Sequence, residues 1–305
     1  MITIFTTPKP FIGQIGINQV NALYSWKALH PTVEVIIFGN DEGISEVAER
    51  LKLLHITQDF QTSEYGTPHI DSMFELAEKK GKYDTQMYIN CDIILLEDFV
   101  SILKQIKTKP FLIVGQRWDL DLNETIDFYS ADWRQQLREK VRLHGTLHDA
   151  GGIDYFVYSR GIWQNIPEMV VGRAGYDNWL IYYCRSRKIP VINATDVITA
   201  IHQNHDYSHL ANGKDEAFIG VEAKRNMSLA GGEKYFLRIS DADWKANSYG
   251  LTKNRLKRKN WYRFLEVYCL LSKSSILRKT WRAFAFMFGY YLKAKKTILL
   301  RVPRT

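Results

Sequence analysis

Asp92 sits in the apolar run Met87-Tyr88-Ile89-Asn90-Cys91-Asp92-Ile93-Ile94-Leu95-Leu96, which reads as a buried strand interrupted by a polar triplet. In an open α/β sheet ligands bind at the carboxyl ends of the strands. A carboxylate there is placed to hold a hard divalent cation that it shares with the phosphates of a substrate. The plainer alternative is a strand-end acid that caps the turn toward Glu97. A second cluster favours the metal reading. His202, His205 and His209 fall within eight residues, with Asp206 among them, just after another apolar run. Their spacing fits neither a His-Glu-x-x-His helix nor a zinc finger, since no cysteine accompanies them. Solvated loop histidines are the competing reading for any single one.

Asp177 stands in Gly172-Arg173-Ala174-Gly175-Tyr176-Asp177-Asn178-Trp179, a glycine-bearing loop entering an aromatic helix. There it either caps the helix or acts as general base for an acceptor hydroxyl. Trp118, Tyr155, Phe156 and Trp179 could stack on the apolar faces of sugar rings, although most such rings belong to a core. Trp118 is the exception, because it follows Gly115-Gln116-Arg117 in what reads as a loop over the sheet. Asp154, Asn178, Trp118 and Trp179 are the predicted acceptor-binding residues.

Alternating apolar runs and amphipathic stretches across the first two hundred residues predict β-α-β units and a largely parallel sheet. Strands are expected at 2–6, 33–38, 53–56, 87–96, 111–115 and 153–158, with one or two more between 191 and 201. Helices are expected at 14–29, 44–51, 71–80, 98–106 and 176–187. No fixed-period repeat is visible.

At 305 residues with 46% hydrophobic content, the chain can bury a proper core. Three separated cysteines, Cys91, Cys184 and Cys269, suggest neither a disulfide framework nor a zinc knuckle, and so a reducing compartment. The start, Met1 to Thr7, lacks the features of a signal peptide, and a cytoplasmic protein is expected. The net charge of +8 conceals an asymmetry: residues 251–305 hold fifteen Lys or Arg against one acid, Glu266, a local +14 that leaves −6 for residues 1–250. Two parts are therefore expected, a catalytic domain at 1–250 and a basic, aromatic, helical tail at 251–305. The uncharged stretch 283–292 is too short to span a bilayer, which needs about twenty apolar residues. The mixture of Lys/Arg clusters with Trp, Tyr and Phe along residues 251–305 fits peripheral attachment to an anionic membrane surface, on the inner face. A helical appendage with a solvated basic face is the alternative.

The order of strand, Gly39-Asn40-Asp41-Glu42-Gly43 turn, helix and the strand bearing Asn90-Cys91-Asp92, followed by an acidic loop and a late histidine, resembles the GT-A superfamily of nucleotide-sugar glycosyltransferases over residues 1 to 210. Asn90-Cys91-Asp92 is similar to the DxD motif of that superfamily, with Asn90 in place of the first acid. The resemblance implies a Rossmann-like, mixed and mostly parallel sheet flanked by helices. It implies that Thr6, Thr7 and Pro8 line the nucleotide pocket, with Pro68 of the loop Gly66-Thr67-Pro68, and that Asp41 bonds base or ribose. By the same resemblance Asn90 and Asp92 face the donor diphosphate, Asp92 holds Mn²⁺ or Mg²⁺ with His202 or His205, and Asp177 is the acceptor-activating acid.

The expected activity is transfer of a sugar from a nucleotide-diphosphate donor to a hydroxyl on a carbohydrate or lipid-linked acceptor. A sugar nucleotidyltransferase should begin with a glycine-rich basic loop, which Thr6 to Gly16 lacks. A non-catalytic nucleic-acid binder would explain the basic tail but not Asp92, Asp177 and the histidine loop, so no nucleic-acid partner is expected.

Overall fold

The computed structural model describes residues 1–106, 109–205, 213–254 and 261–272, with shorter stretches as far as residue 287. Asp206, His209 and the basic positions 257–259, 278 and 282 lie outside the described residues. The chain divides into two units, Met1–Asn254 and Arg255–Thr305. Within the first unit Gly250–Lys253 pairs with Trp244–Asn247 as the last strand of the main sheet.

The elements of the first unit are, in order, β1 (Thr3–Thr6), α1 (Gly13–Lys27), β2 (Glu34–Phe38), α2 (Ile44–Leu51), β3 (Leu54–Ile56), α3 (Ile70–Lys80), β4 (Thr85–Ile89), β5 (Ile93–Leu95) and α4 (Asp98–Gln105). They continue with β6 (Leu112–Val114), β7 (Trp118–Leu120), α5 (Trp133–His144), β8 (Thr146–Leu147), β9 (Tyr155–Ser159), α6 (Tyr176–Ser186), β10 (Val191–Asn193) and β11 (Ala200–Gln203). The unit closes with α7 (Gly213–Ile219), α8 (Val221–Leu229), β12 (Trp244–Asn247) and β13 (Gly250–Lys253). The second unit contains α9 (Trp261–Leu271).

Among the described residues, nine strands form the main sheet in the order β13-β12-β10-β6-β9-β4-β1-β2-β3. It is a mixed, mostly parallel sheet: β9 runs antiparallel to β4 and β6, and β13 to β12. The pleat sends alternate residues to opposite faces. Ile4, Ile37, Met87 and Val157 join α1 and α2 in an aliphatic core. Phe5, Tyr88 and Tyr158 turn the other way onto Phe74 of α3, with the Phe5 and Phe74 ring centroids 5.1 Å apart. From β1 the chain crosses through α1 to β2, whereas β4 lies on the other side of β1. Strand order therefore reverses between β1 and β4, and a crevice opens beyond their carboxyl ends.

A second, four-stranded sheet has the order β5-β11-β7-β8. The sequence predicts one strand across Met87–Leu96, but the polar triplet is a hinge. The Asn90 N–H donates to the Asp154 carbonyl at 2.9 Å, the Ile93 N–H donates to the Asn90 carbonyl at 3.2 Å, and the chain leaves one sheet for the other. Trp118, expected in a loop, is the first residue of β7. Helix α5 escapes the apolar pattern because only Trp133, Leu137 and Val141 of its twelve residues are buried, one stripe at four-residue spacing.

A buried polar stripe on α1, with Asn18, Asn21 and Ser25 at helical spacing, anchors the second sheet. Ser25 Oγ accepts from the Leu95 N–H at 3.1 Å. Asn21 Nδ2 donates to Gln203 Oε1 at 2.9 Å, and Gln203 Nε2 donates to the carbonyls of Asn18 at 2.7 Å and Asp92 at 3.0 Å. Gln203 is fully buried, so these bonds replace water that its amide has lost.

Candidate functional site

Register builds the site. Antiparallel pairing of β5 with β11 puts His202 opposite Ile93, next to Asp92, and parallel pairing of β11 with β7 puts His202 beside Asp119. His205 Nε2 lies 3.1 Å and His202 Nε2 3.8 Å from Asp92 Oδ2. One ligand atom from each of the three residues falls within 4.8 Å of the others. The second carboxylate oxygen, Asp92 Oδ1, is buried without a hydrogen-bond partner. A buried carboxylate oxygen left unpaired beside two imidazoles is the setting a hard or borderline divalent cation fills, and this donor set fits one. Burial opposes ionisation of Asp92, but the hydrogen bond from His205 and the charges of His202 and Lys9 outweigh it and hold the carboxyl well below the ordinary range.

A second layer fixes the first. His202 Nδ1 is 3.4 Å from Asp119 Oδ1 and 3.3 Å from Asn204 Oδ1, two acceptors for a proton on Nδ1, which leaves Nε2 as the ring nitrogen that faces Asp92. Asp119 is held in turn by Arg117 Nε at 2.9 Å and His148 Nδ1 at 2.6 Å. Its own burial works against ionisation, and the bonds from His202, His148 and Arg117 overcome it, leaving the carboxyl well below its usual range. Asp119→Asn is expected to weaken Mn²⁺ binding by about 10–100-fold while the fold persists. Calorimetric titration of the variant with Mn²⁺ is the check, and an unchanged isotherm would remove Asp119 from this role.

The site opens into a cavity of about 480 Å³. Of the residues expected to bind the nucleotide, Thr7, Pro8, Asp41, Pro68, Asn90 and Asp92 all line it, and Thr6 is buried one residue behind Thr7. Asp154 lines it too. Asp154 Oδ1 accepts from Arg117 at 2.6 Å and from Asn90 Nδ2 at 2.8 Å, while its Oδ2 is buried and unpaired. The Asn90 Oδ1 accepts from the Tyr88 hydroxyl at 3.1 Å, so the Asn90 side chain is spent on holding Asp154.

Three cations on the cavity wall, Lys9, Arg117 and Arg173, were not singled out in the sequence, where a lone basic residue in a loop is ordinarily solvated. Lys9 lies in a segment fixed by Gln19, whose Oε1 accepts from the Lys9 N–H at 2.6 Å and whose Nε2 donates to the Lys9 carbonyl at 2.8 Å. Arg173 pairs with the buried Glu222 at 2.9 Å, and its Nε is buried without a partner. Glu222 also accepts from Ser63 Oγ at 2.5 Å and Thr67 Oγ1 at 2.9 Å, which ties the loop carrying Pro68 to the loop carrying Arg173.

Other sequence-predicted residues, Asp177 among them, do not line this cavity. Trp118 lines a different one. Asn178 donates to the carbonyls of Gly151 at 3.1 Å and Leu237 at 3.0 Å, which makes it a loop tie. Trp179 is buried with its ring 5.3 Å from that of Tyr183, and Tyr155 and Phe156 are core strand residues.

Asp177 occupies the first turn of α6, and burial, helped by the charge of Asp154, pushes its carboxyl up to about 7 against the backbone N–H groups around it. The native state then keeps a proton between pH 3.8 and about 7 that the unfolded chain has released, so this group makes stability fall as pH rises through that window. Asp177 is only partly buried, so the expected loss is about 2 kcal/mol, roughly half of what a full shift at 1.36 kcal/mol per unit would give. Denaturant midpoints across the window should show this slope, and Asp177→Asn should flatten it; equal slopes in both proteins would refute the assignment.

No family model and no curated protein matches the chain. Among solved structures it is similar to glucosyl-3-phosphoglycerate synthase of Mycobacterium tuberculosis, with 14% identity over 76% of this chain and 81% of that one and a TM-score of 0.44. The same synthase in complex with Mg²⁺ and uridine diphosphate gives 12% identity, coverage of 76% and 80%, and a TM-score of 0.45. A mannosyltransferase from Pyrobaculum calidifontis in complex with GDP-Man and Mn²⁺ gives 10% identity, 66% of this chain and 56% of that one, and a TM-score of 0.40.

Proposed function

We propose that this chain is a GT-A-type glycosyltransferase that moves a sugar from a nucleoside-diphosphate donor to a hydroxyl acceptor with the help of a divalent cation, Mn²⁺ or Mg²⁺. One observation carries the reading: Asp92, His202 and His205 converge, with Asp92 Oδ1 unpaired, at the wall of a cavity that Lys9, Arg117 and Arg173 also line. Cation ligands and basic side chains around one crevice suit a diphosphate, which needs both charge neutralisation and oriented donors.

Asp92, His202 and His205 would hold the cation, which when bound supplies Lewis-acid stabilisation of charge on a departing nucleoside diphosphate. Lys9 and the unpaired Nε of Arg173 offer donors to phosphate oxygens. Asp41 and Pro8, which line the same cavity, are proposed to contact the base and ribose. The unpaired Asp154 Oδ2 is an acceptor for a sugar hydroxyl. Asp177 is proposed as the acceptor base: a carboxyl pushed up to about 7 is well matched to taking a proton near neutral pH.

Thermal-shift measurements with UDP, GDP and their sugars, with and without Mn²⁺, test the reading, because a ligand of the native state raises its stability by mass action. A shift that requires both nucleotide and Mn²⁺ is expected. No shift with any nucleotide would overturn the proposal.

We further propose that residues 251–305 attach the enzyme to an anionic membrane surface at the cytoplasmic face, which suits a lipid-linked acceptor. Among the described residues no helix is long and apolar enough to cross a membrane. On α9, Trp261, Phe264 and Tyr268 are exposed at three- and four-residue spacing, an aromatic face of the kind that lies in a headgroup region. The protein is expected to float with phosphatidylserine vesicles at low salt and to be released at high salt; recovery in the dense fraction at both would refute attachment.

A further inference from the structure

We infer that a second cavity, on the opposite side of β7 from the metal ligands, binds a neutral saccharide. Its volume is about 570 Å³, room for one or two sugar rings, and it lies between α4, α5, the β7–β8 pair and the loops that flank β10 and β12. Strand alternation separates the two sites by a single residue. Asp119 points to His202, and Trp118, its neighbour, lines the second cavity.

Charge accounting selects the ligand class. The charged side chains on this wall are Asp98, Arg138 and Asp196. Arg138 is already bound to Asp98 at 3.3 Å and Glu97 at 2.9 Å, and Asp98 also accepts from Thr199 Oγ1 at 2.6 Å. Asp196 is paired with Lys245 at 2.6 Å. Each charge is thus matched inside the protein, and neither an anion nor a cation finds an uncompensated partner. The uncommitted groups are neutral: Ser101, Gln105 and Ser248, which offer two hydroxyls and an amide around the half-buried Trp118 ring and the exposed Leu147. Neutral donors and acceptors set around an aromatic and an aliphatic side chain match a sugar, whose hydroxyls ring an apolar C–H face.

The inference stands apart from the transferase reading, since it uses neither nucleotide nor metal, and its test involves neither. The full chain is applied to an array of neutral and anionic oligosaccharides, and the neutral glycans retained are then titrated calorimetrically. The double variant Gln105→Leu/Ser248→Val removes two of the hydrogen-bonding groups and leaves the metal cavity untouched. Binding of a neutral glycan that weakens by about tenfold or more in the variant is expected, from roughly 1 kcal/mol per lost bond. Trp118→Phe, which keeps an aromatic face, should retain part of the affinity. Retention of anionic glycans alone, no retention at all, or affinity unchanged in the double variant would each overturn it.

Discussion

Asp92→Asn is expected to abolish metal-dependent transfer while leaving the fold in place. The substitution keeps the volume and one carbonyl oxygen but removes the charge that His202 and His205 surround. Mn²⁺ affinity should fall by more than the roughly 100-fold that loss of an outer-shell partner alone can cause. Turnover at saturating donor should drop by about 100–1000-fold, because a Lewis acid supplies several kcal/mol and each ~1.4 kcal/mol is a factor of ten. Calorimetry with Mn²⁺ and release of nucleoside diphosphate from UDP- and GDP-sugars measure the two quantities separately. An Asp92→Asn protein that binds Mn²⁺ as tightly as the parent would remove this residue from the metal site.

Gln203→Leu is expected to act on stability and on the site together. Leucine is of similar size, but it cannot donate to the carbonyls of Asn18 and Asp92 or accept from Asn21. Buried groups left without partners cost about 1–3 kcal/mol each, and Asn21 retains a bond to the Glu124 carbonyl, so the net expectation is a loss of about 2–4 kcal/mol. For a domain of this size that lowers Tm by roughly 5–15 °C. The Asp92 carbonyl keeps the backbone N–H of residue 203 at 3.3 Å but loses its side-chain donor, so the 90–92 turn is held by one bond fewer and weaker Mn²⁺ binding should accompany the loss. An unchanged Tm would mean that α1 and the second sheet are held together by other means.

Elements whose burial follows one simple period were legible in the sequence. Helix α2 was placed at its observed bounds, Ile44–Leu51, because its apolar residues fall on one stripe. Strands β1, β2 and β9 read in the sequence as short apolar runs because all or nearly all of their residues are buried, on both faces of the sheet. The resemblance implies Asp92 with His202 or His205, and the pairing of β5 with β11 brings His202, with His205 beyond it, to Asp92. Partners distant in sequence were invisible. Asp119 meets His202 through the parallel pairing of β7 with β11, and His148, just after β8, holds Asp119, neither of which a local pattern encodes. The buried amides of α1 look in sequence like an exposed polar face, because a hydrogen-bonded core asparagine and a solvated one are spelled alike. Trp118, expected in a loop beside the site, lies in β7, and strand alternation turns it away from the metal ligands into a different cavity.

The hinge at Asn90–Asp92 has a consequence for how such an enzyme could change. Asp92 directly precedes β5 and His202 lies on β11, its neighbour, so two of the candidate cation ligands ride on one pair of strands in the smaller sheet. Pro8 and Asp41 follow β1 and β2 of the larger one. On the proposed function, loops after those larger-sheet strands can be exchanged while the cation ligands stay in place, so donor preference would be the more readily altered property.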